Sequence, residues 1–324
     1  MSTNHHRSTY LKWHRTPALM PLAGMLAVVL VVGAGCAAPG RAPVLSTAEV
    51  PLPDYQAGLT YVYDNGSWET VQTVGPEEVT WRNHRGTISS GSPDFTYRRT
   101  TWETRTRSGT RQFRERRDWT GDPAVATLWP LAPGKTAHYV ESGRWRDEDN
   151  REHTYEAHWR LEVAGQERIR VKAGDFDTWK IVGRRFSTGD AFRPSRLREK
   201  RIWYYAPSVG HYVKLEGRYL GRRPDHSIEL LAVLPPLTDM PRVAQAAFRT
   251  SFQQALEEKP SGAALQWNRA ELGLSGTTTP TATFKLASGD YCRQYVQHLN
   301  RSGEDQVFFG LACRTDAGQW QIPR

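Results

Sequence analysis

Recognisable catalytic signatures are missing from this 324-residue sequence. It contains no Gly-x-Ser-x-Gly elbow, His-Glu-x-x-His pair, Walker loop or dinucleotide-binding glycine fingerprint. These absences disfavour the common hydrolases, metalloproteases and nucleotide-dependent enzymes. Carboxylates from distant positions could still assemble a hydrolytic site, so a hydrolase stays as the least favoured alternative. We therefore expect a protein that is not an enzyme and has no catalytic residues.

Metal ligands are equally sparse. His153 and His158 stand five residues apart, beside the acidic run Asp147-Glu148-Asp149. Positions five apart on a strand point to opposite faces, so these imidazoles do not converge on one ion. We expect no metal site and no cofactor, and we interpret the acidic run as a solvated turn.

Cysteine is rare as well, and the chain has only Cys36, Cys292 and Cys313. An odd number of cysteines in an exported protein requires an explanation. The uncharged apolar segment 22–35 follows a leader that carries only positive charge, which is the arrangement of a secretory signal peptide. Small residues then lead directly into Cys36 and resemble a lipobox, in which the cysteine is acylated and becomes the new N-terminus.

From this pattern we predict lipidation of Cys36 and attachment to a membrane through that lipid. Because Ala37 rather than Asp follows, we expect an outer-membrane lipoprotein. An uncleaved anchor and an ordinary signal cleaved near Ala37-Ala38 are the alternatives. Residues 1–35 are the predicted signal peptide, and the Ala- and Pro-rich residues 36–54 are a predicted tether.

Aromatic residues are plentiful, with 12 Trp and 13 Tyr. Over residues 55–234 they alternate with polar residues in short runs that are separated by turn dipeptides, which predicts antiparallel strands. A long meander with one apolar face must bury that face by curling or under a cover. We therefore expect a mainly β fold with a curved antiparallel sheet or half-barrel. The residues predicted to present an apolar face that could bind a ligand are Tyr61, Trp179, Trp203 and Tyr205.

Residues 235–241 are rich in proline and predict a linker to a second domain, residues 242–324. Asp239 is expected to cap a helix, and the helical spacing of Ala244, Phe248 and Leu256 gives that helix one apolar side. Short strands should follow and complete a small α+β domain, with the helix packed on a short antiparallel sheet. They are predicted at 265–268, 279–287, 291–299, 306–314 and 320–322.

The two later cysteines define a strand register. If Ser302-Gly303 forms a hairpin turn, Cys292 and Cys313 lie directly opposite each other. The same register places Val296 opposite Phe309 and Gln294 opposite Leu311. In an oxidising compartment this geometry predicts a Cys292–Cys313 disulfide, and the alternative is a pair of buried thiols.

Residues 250–324 resemble the C-terminal domain of the 17 kDa bacterial surface antigen family. The resemblance is carried by a set of motifs in order: Ser261-Gly262, Trp267-Asn268, Ser275-Gly276, Thr279-Pro280-Thr281, Tyr291-Cys292-Arg293, Ala312-Cys313-Arg314 and Trp320-Gln321-Ile322. It implies a surface or outer-membrane protein with no assigned reaction. The central segments 129–135, 171–182 and 202–216 are more loosely similar to periplasmic half-barrels of the LolA and LolB type, which weakly implies a cleft for acyl chains.

The net charge is +9, and basic residues concentrate in one segment. Arginines that could contact an anionic polymer are Arg98, Arg99, Arg105, Arg107, Arg111 and Arg114. Lipopolysaccharide and peptidoglycan are the partner classes that this segment would fit. A solvated strand face is the favoured alternative, and predicted export makes nucleic acid an unexpected partner. The sequence thus favours an envelope lipoprotein with a structural or binding role, ahead of a periplasmic carrier for a lipid or lipoprotein.

Overall fold

The computed structural model describes residues 49–96, 101–106, 109–114, 127–146, 151–187, 196–221 and 224–323. The predicted signal segment, Cys36 and most of the predicted tether lie outside them. Val50, at the end of the predicted tether, forms an isolated antiparallel bridge with Leu131. No helix in the described part of the chain has both the length and the apolar character needed to cross a membrane.

Alternating apolar and polar residues form the strands, because every second side chain along a strand reaches the same face. On β11, for example, His211 and Val213 are buried while Tyr212 and Lys214 are only partly so. Twelve strands precede the helix in the described ranges: β1 (Thr60–Tyr63), β2 (Trp68–Val74), β3 (Val79–Asn83), β4 (Ile88–Gly91), β5 (Thr101–Thr106), β6 (Gly109–Arg114), β7 (Thr136–Arg146), β8 (Glu152–Val171), β9 (Gly174–Ser187), β10 (Leu197–Ala206), β11 (His211–Tyr219) and β12 (His226–Leu234).

These strands form two antiparallel meanders that β12 joins. Strands β1 to β6 pair in sequence order, and so do β7 to β12. The carboxyl half of β12 then pairs with β1, with Tyr61 opposite Val233. The predicted mainly β fold, with an open antiparallel sheet, is confirmed.

The core of these strands is dominated by aromatic rings. One cluster contains Trp159, Trp179, Ile181 and Trp203, each at most 3% exposed. Gly183 allows this packing, since a Cβ at that position would lie 2.7 Å from Cζ3 of Trp203. A second cluster contains the rings of β1, β3 and β10 and continues into the carboxy-terminal residues Leu274, Leu299 and Phe308. Full burial of each large side chain contributes about 1.5–3 kcal/mol.

The carboxy-terminal region consists of one helix and a small antiparallel sheet. Helix α1 (Arg242–Glu258) buries Ala244, Phe248, Ser251, Ala255 and Leu256. The strands after it are β13 (Leu265–Arg269), β14 (Leu274–Lys285), β15 (Tyr291–Arg301), β16 (Glu304–Arg314) and β17 (Trp320–Gln321). They pair in sequence order, and one further bridge between Ala232 and Gly310 links β16 to β12. The predicted α+β arrangement is confirmed.

The predicted cap of α1 is wrong. The helix begins at Arg242 after Pro241, and no side chain caps its amino terminus. Pro241 occupies the N-cap position, so Asp239 lies two residues too early to act there. The carbonyl of Pro241 instead accepts hydrogen bonds from the N–H groups of Ala244 and Gln245.

The predicted register of the last long hairpin is confirmed. Val296 is paired with Phe309, Gln294 with Leu311 and Cys292 with Cys313. Ser302 and Gly303 form the turn with φ values of 51° and 98°, a left-handed conformation that glycine adopts without strain. Cys292 and Cys313 form the disulfide, which packs beside Leu231 of β12.

Loss of this disulfide should destabilise the protein, because the unfolded chain then gains conformational entropy. The bond closes a loop with a sequence separation of 21 residues. We expect the Cys292→Ser/Cys313→Ser double variant to lose about 3 kcal/mol in free energy of unfolding, measured by urea titration. Dithiothreitol should destabilise the parent by a similar amount and leave the double variant unchanged. Equal stability of both proteins without reductant would contradict the expectation.

Candidate functional site

A cavity of about 350 Å³ lies between the amino-terminal and central strands. One wall comes from β2, β3 and β4 and the segment that follows them, and the other comes from β10 and β11. Rings make up much of its surface, and polar groups complete it. The ring residues are Tyr55, Trp81, Phe95, Trp203, His211 and Tyr212, and the polar ones include Glu69, Asn83, Asp94 and Arg201.

His211 is the centre of the aromatic wall and is 1% exposed. Its Nδ1 lies 2.8 Å from the Tyr55 hydroxyl, and the two groups form a buried hydrogen bond. Its ring centroid lies 4.2 Å from that of Tyr212 and 5.6 Å from that of Trp81. Burial raises the pKa of Tyr55, and neighbouring tyrosines raise it further. The Tyr55 phenol is therefore neutral at physiological pH.

Residues 92–96, which follow β4, line the cavity. Phe95 packs against Trp129 at 5.7 Å and against Tyr205 at 5.5 Å between ring centroids. Asp94 orders the segment, because its Oδ1 accepts hydrogen bonds from the Thr96 amide and hydroxyl at 2.8 and 2.6 Å. The Tyr139 hydroxyl donates to the Thr96 carbonyl at 3.3 Å and ties the segment to β7.

Three of the four predicted apolar-face residues lie at or beside this cavity. Trp203 lines it, while the rings of Tyr61 and Tyr205 contact the lining rings of His211 and Phe95. Trp179 packs inside the aromatic core cluster instead. All four side chains are buried, so other side chains of the protein cover most of this apolar face.

Several lining residues were not predicted. Trp81 alternates with Val79 on β3, and His211 alternates with Val213 on β11, so a period of two was present in the sequence. The sequence does not show the strand pairing that brings β3 and β11 to the same cavity. Phe95 lies outside any strand and gives no periodic signal.

The arginine segment is only partly described. Arg105 lies on β5 opposite Thr110, and Arg111 and Arg114 lie on β6 opposite Thr104 and Thr101. The structure describes the backbone of these three residues and not their side chains. Arg98, Arg99 and Arg107 lie outside the described residues. Among the described residues, no group of three or more His, Cys, Asp or Glu side chains could hold a metal ion.

Charged and aromatic residues of the carboxy-terminal region clamp α1 onto its sheet. Arg293 donates to the carbonyls of Leu256 and Lys259 at the end of the helix. Arg314 forms a bidentate pair with Glu257, with both N–O distances at 3.0 Å. Trp320 Nε1 donates to the same Glu257 carboxylate at 2.9 Å. These side chains therefore serve to hold the helix rather than to bind a reactant.

Residues 254–321 match the family described as the 17 kDa outer membrane surface antigen. The 17 kDa surface antigen of Rickettsia bellii is 44% identical over 70 residues, and that of Rickettsia prowazekii is 41% identical over 70 residues. Each match covers 22% of this chain and 44% of the relative, so the chain spans less than half the length of these relatives. The predicted resemblance is confirmed for this segment, and it indicates a protein of the cell envelope or surface.

Two solved structures are similar over a larger part of the chain. YmcC from Escherichia coli, described as a hypothetical lipoprotein, gives a TM-score of 0.34 at 14% identity, covering 55% of this chain and 83% of that chain. An exported protein with a YmcC-like fold from Bacteroides fragilis gives a TM-score of 0.26 at 11% identity, covering 58% of this chain and all of that one.

The clamp on α1 should weaken in acid. Hydrogen bonds from Arg314 and then from Trp320 lower the pKa of Glu257 below its ordinary value. The stability that this carboxylate contributes is therefore fully present above its unfolded pKa of about 4.3, and is lost as pH falls through the lower folded value. We expect Glu257→Gln to lower Tm at neutral pH, and the difference from the parent to shrink in strong acid.

Glu258→Gln is the matched control, since Glu258 is the adjacent exposed carboxylate and contacts only Gln254 among the hydrogen bonds of the described residues. Thermal unfolding followed by circular dichroism across the acid range measures both variants. A Tm difference for Glu257→Gln that is the same at all pH values would contradict this account.

Proposed function

We propose that this chain is an exported lipoprotein, anchored through Cys36, which binds a small amphipathic molecule at the cell envelope. The support for export is the positive leader and apolar run before Cys36, together with a disulfide that an oxidising compartment would preserve. The surface-antigen segment supports the same location. Outer-membrane attachment is part of the proposal and depends on the acylation of Cys36.

The observation that supports binding is the cavity itself. A volume of about 350 Å³ falls at the small end of ligand pockets, and large rings with a few convergent polar groups are typical of such pockets. Aromatic walls provide contact area at low entropic cost, while Glu69, Asp94 and Arg201 can orient a polar end. An amphipathic ligand fits this mixed lining better than a purely apolar one.

The cavity favours a small ligand over a whole lipid. Trp159, Trp179 and Ile181, which a long acyl chain would need to contact, are at most 3% exposed and pack on one another. A periplasmic carrier or chaperone for an apolar ligand, such as a lipid or a lipoprotein, is therefore the second candidate. Contact between the arginine segment and lipopolysaccharide or peptidoglycan remains a separate proposal.

The environment of His211 makes it part of the aromatic wall of the proposed binding cavity. Nδ1 of its imidazole is hydrogen-bonded to a phenol, and the rings around it belong to Tyr, Trp and Phe side chains.

Acylation of Cys36 can be tested by metabolic labelling with radioactive palmitate in the bacterial host. The parent chain should incorporate label, and Cys36→Ser should not. The Cys292→Ser/Cys313→Ser double variant is the control and should still be labelled, since its acceptor cysteine is intact. Label in Cys36→Ser, or none in the parent, would overturn the anchor.

Ligand binding can be tested by filling the cavity. Leu215 lines it from β11, and Ile228 is the cross-strand partner of Leu215 on β12 without lining it. We expect Leu215→Trp to lower the affinity for the amphipathic fluorophore 1-anilinonaphthalene-8-sulfonate by about tenfold, because the indole occupies the volume that the probe needs. Ile228→Trp should bind like the parent.

Fluorescence titration measures the affinities, and circular dichroism confirms that both variants are folded. Equal affinity of the parent and Leu215→Trp would contradict the assignment of this cavity. Long-chain phospholipid in mass spectra of the purified parent would favour the carrier instead.

A further inference from the structure

The tip of the β14–β15 hairpin exposes large apolar side chains. Phe284 is 36% exposed, Leu286 38% and Tyr291 54%, within a span of eight residues. Other exposed apolar residues in the described chain, such as Val74, Leu220 and Val243, are scattered over different elements. Isolated exposed apolar residues are ordinary, whereas a cluster at one tip indicates an interaction surface.

The exposed side chains lie on both faces of the hairpin. Phe284 is paired with Cys292 and Lys285 with Tyr291, so Phe284 and Tyr291 project to opposite sides. Leu286 follows the end of β14, and its exposed side chain extends the apolar surface of the tip. A folded protein partner would cover one flat face, but a lipid bilayer surrounds an inserted tip on all sides.

Lys285 and Tyr291 suit the boundary between lipid and water, and the Asp290 carboxylate of the turn accepts a hydrogen bond from Ser288 Oγ at 2.7 Å. Lys285 Nζ lies 5.1 Å from the Tyr291 ring centroid, and such aromatic and basic side chains concentrate at membrane interfaces. The Leu286 amide donates to Asp290 and the Gly289 amide donates to Leu286, each at 2.9 Å. These turn amides therefore need no water, which lowers the cost of partial insertion.

We propose that the hairpin tip around Phe284, Leu286 and Tyr291 is a second membrane contact that dips into the bilayer interface. This inference rests on the proposed lipid anchor at Cys36. Twelve residues separate Cys36 from Glu49, and at full extension the distance between these two residues is about 45 Å, which keeps the fold close to the bilayer. Tethering raises the effective concentration of the tip at the surface, so weak partitioning is enough for contact.

The test uses a protein of residues 37–324, which carries no lipid. It includes the whole compact unit of residues 43–324. Ser288→Cys places a thiol at the tip for the environment-sensitive fluorophore NBD, and Glu77→Cys places one in the β2–β3 turn as a control. On vesicles of phosphatidylethanolamine and phosphatidylglycerol, NBD at position 288 should shift to the blue and brighten. NBD at position 77 should not change.

Vesicle co-sedimentation then compares two triple variants. Phe284→Ser/Leu286→Ser/Tyr291→Ser should lower vesicle affinity by about tenfold, since it removes the apolar area that would enter the interface. Val74→Ser/Leu220→Ser/Val243→Ser removes the same number of exposed apolar side chains elsewhere and should bind like the parent. Should the tip triple variant fail to fold, the single Tyr291→Ser variant should show a smaller loss in the same direction.

Equal sedimentation of the parent and the folded tip variants would overturn the inference, and so would an NBD response at position 77 alone. Self-association that the tip variant abolishes, without vesicle binding by the parent, would assign the tip to a second copy of the chain instead. These outcomes are independent of palmitate labelling, so failure of the tip contact and failure of the Cys36 anchor can be told apart.

Discussion

The pairing of β12 with β1 is the constraint on which the rest of the structure depends. It joins the meander β1–β6 to the meander β7–β12 through the register of Tyr61 with Val233. The walls of the cavity come from opposite sides of this seam, since Trp81 belongs to β3 and His211 to β11. Strand β12 also bridges to β16 at Ala232 and Gly310, and its Leu231 packs beside the Cys292–Cys313 disulfide.

Two parts of the chain consequently have different roles. The segment similar to the surface antigens contains side chains that hold α1 to its sheet, such as Arg293, Arg314 and Trp320. These side chains therefore account for how the helix is held. The cavity lies among residues 55–215, outside the matched segment, so the similarity to the surface antigens carries no information about a ligand there.

Local features of the fold could be predicted from the sequence. The spacing of Cys292 and Cys313 about Ser302-Gly303 gave the register of β15 and β16, because a tight turn determines every pair beyond it. The spacing of apolar residues predicted α1 but did not give the correct N-cap residue. Pro241, whose φ angle is fixed, occupies the N-cap position in place of Asp239.

Long-range features could not be predicted. The closure of β1 on β12 joins residues about 170 positions apart, and no local pattern encodes such a partner. The four aromatic residues predicted to form a ligand-binding face are all buried, and of these four only Trp203 lines the cavity. Tyr55 and Phe95 complete the site from irregular segments, where neither a period of two nor a helical period applies.

Hydrogen–deuterium exchange of the native protein tests the central claim most directly. If the seam between β1 and β12 organises the cavity, the amides of β1, β3, β11 and β12 should exchange slowly and at one common opening free energy. Rapid exchange of β1 to β3 while β10 to β12 remain protected would show that the two meanders open independently, and would contradict the account.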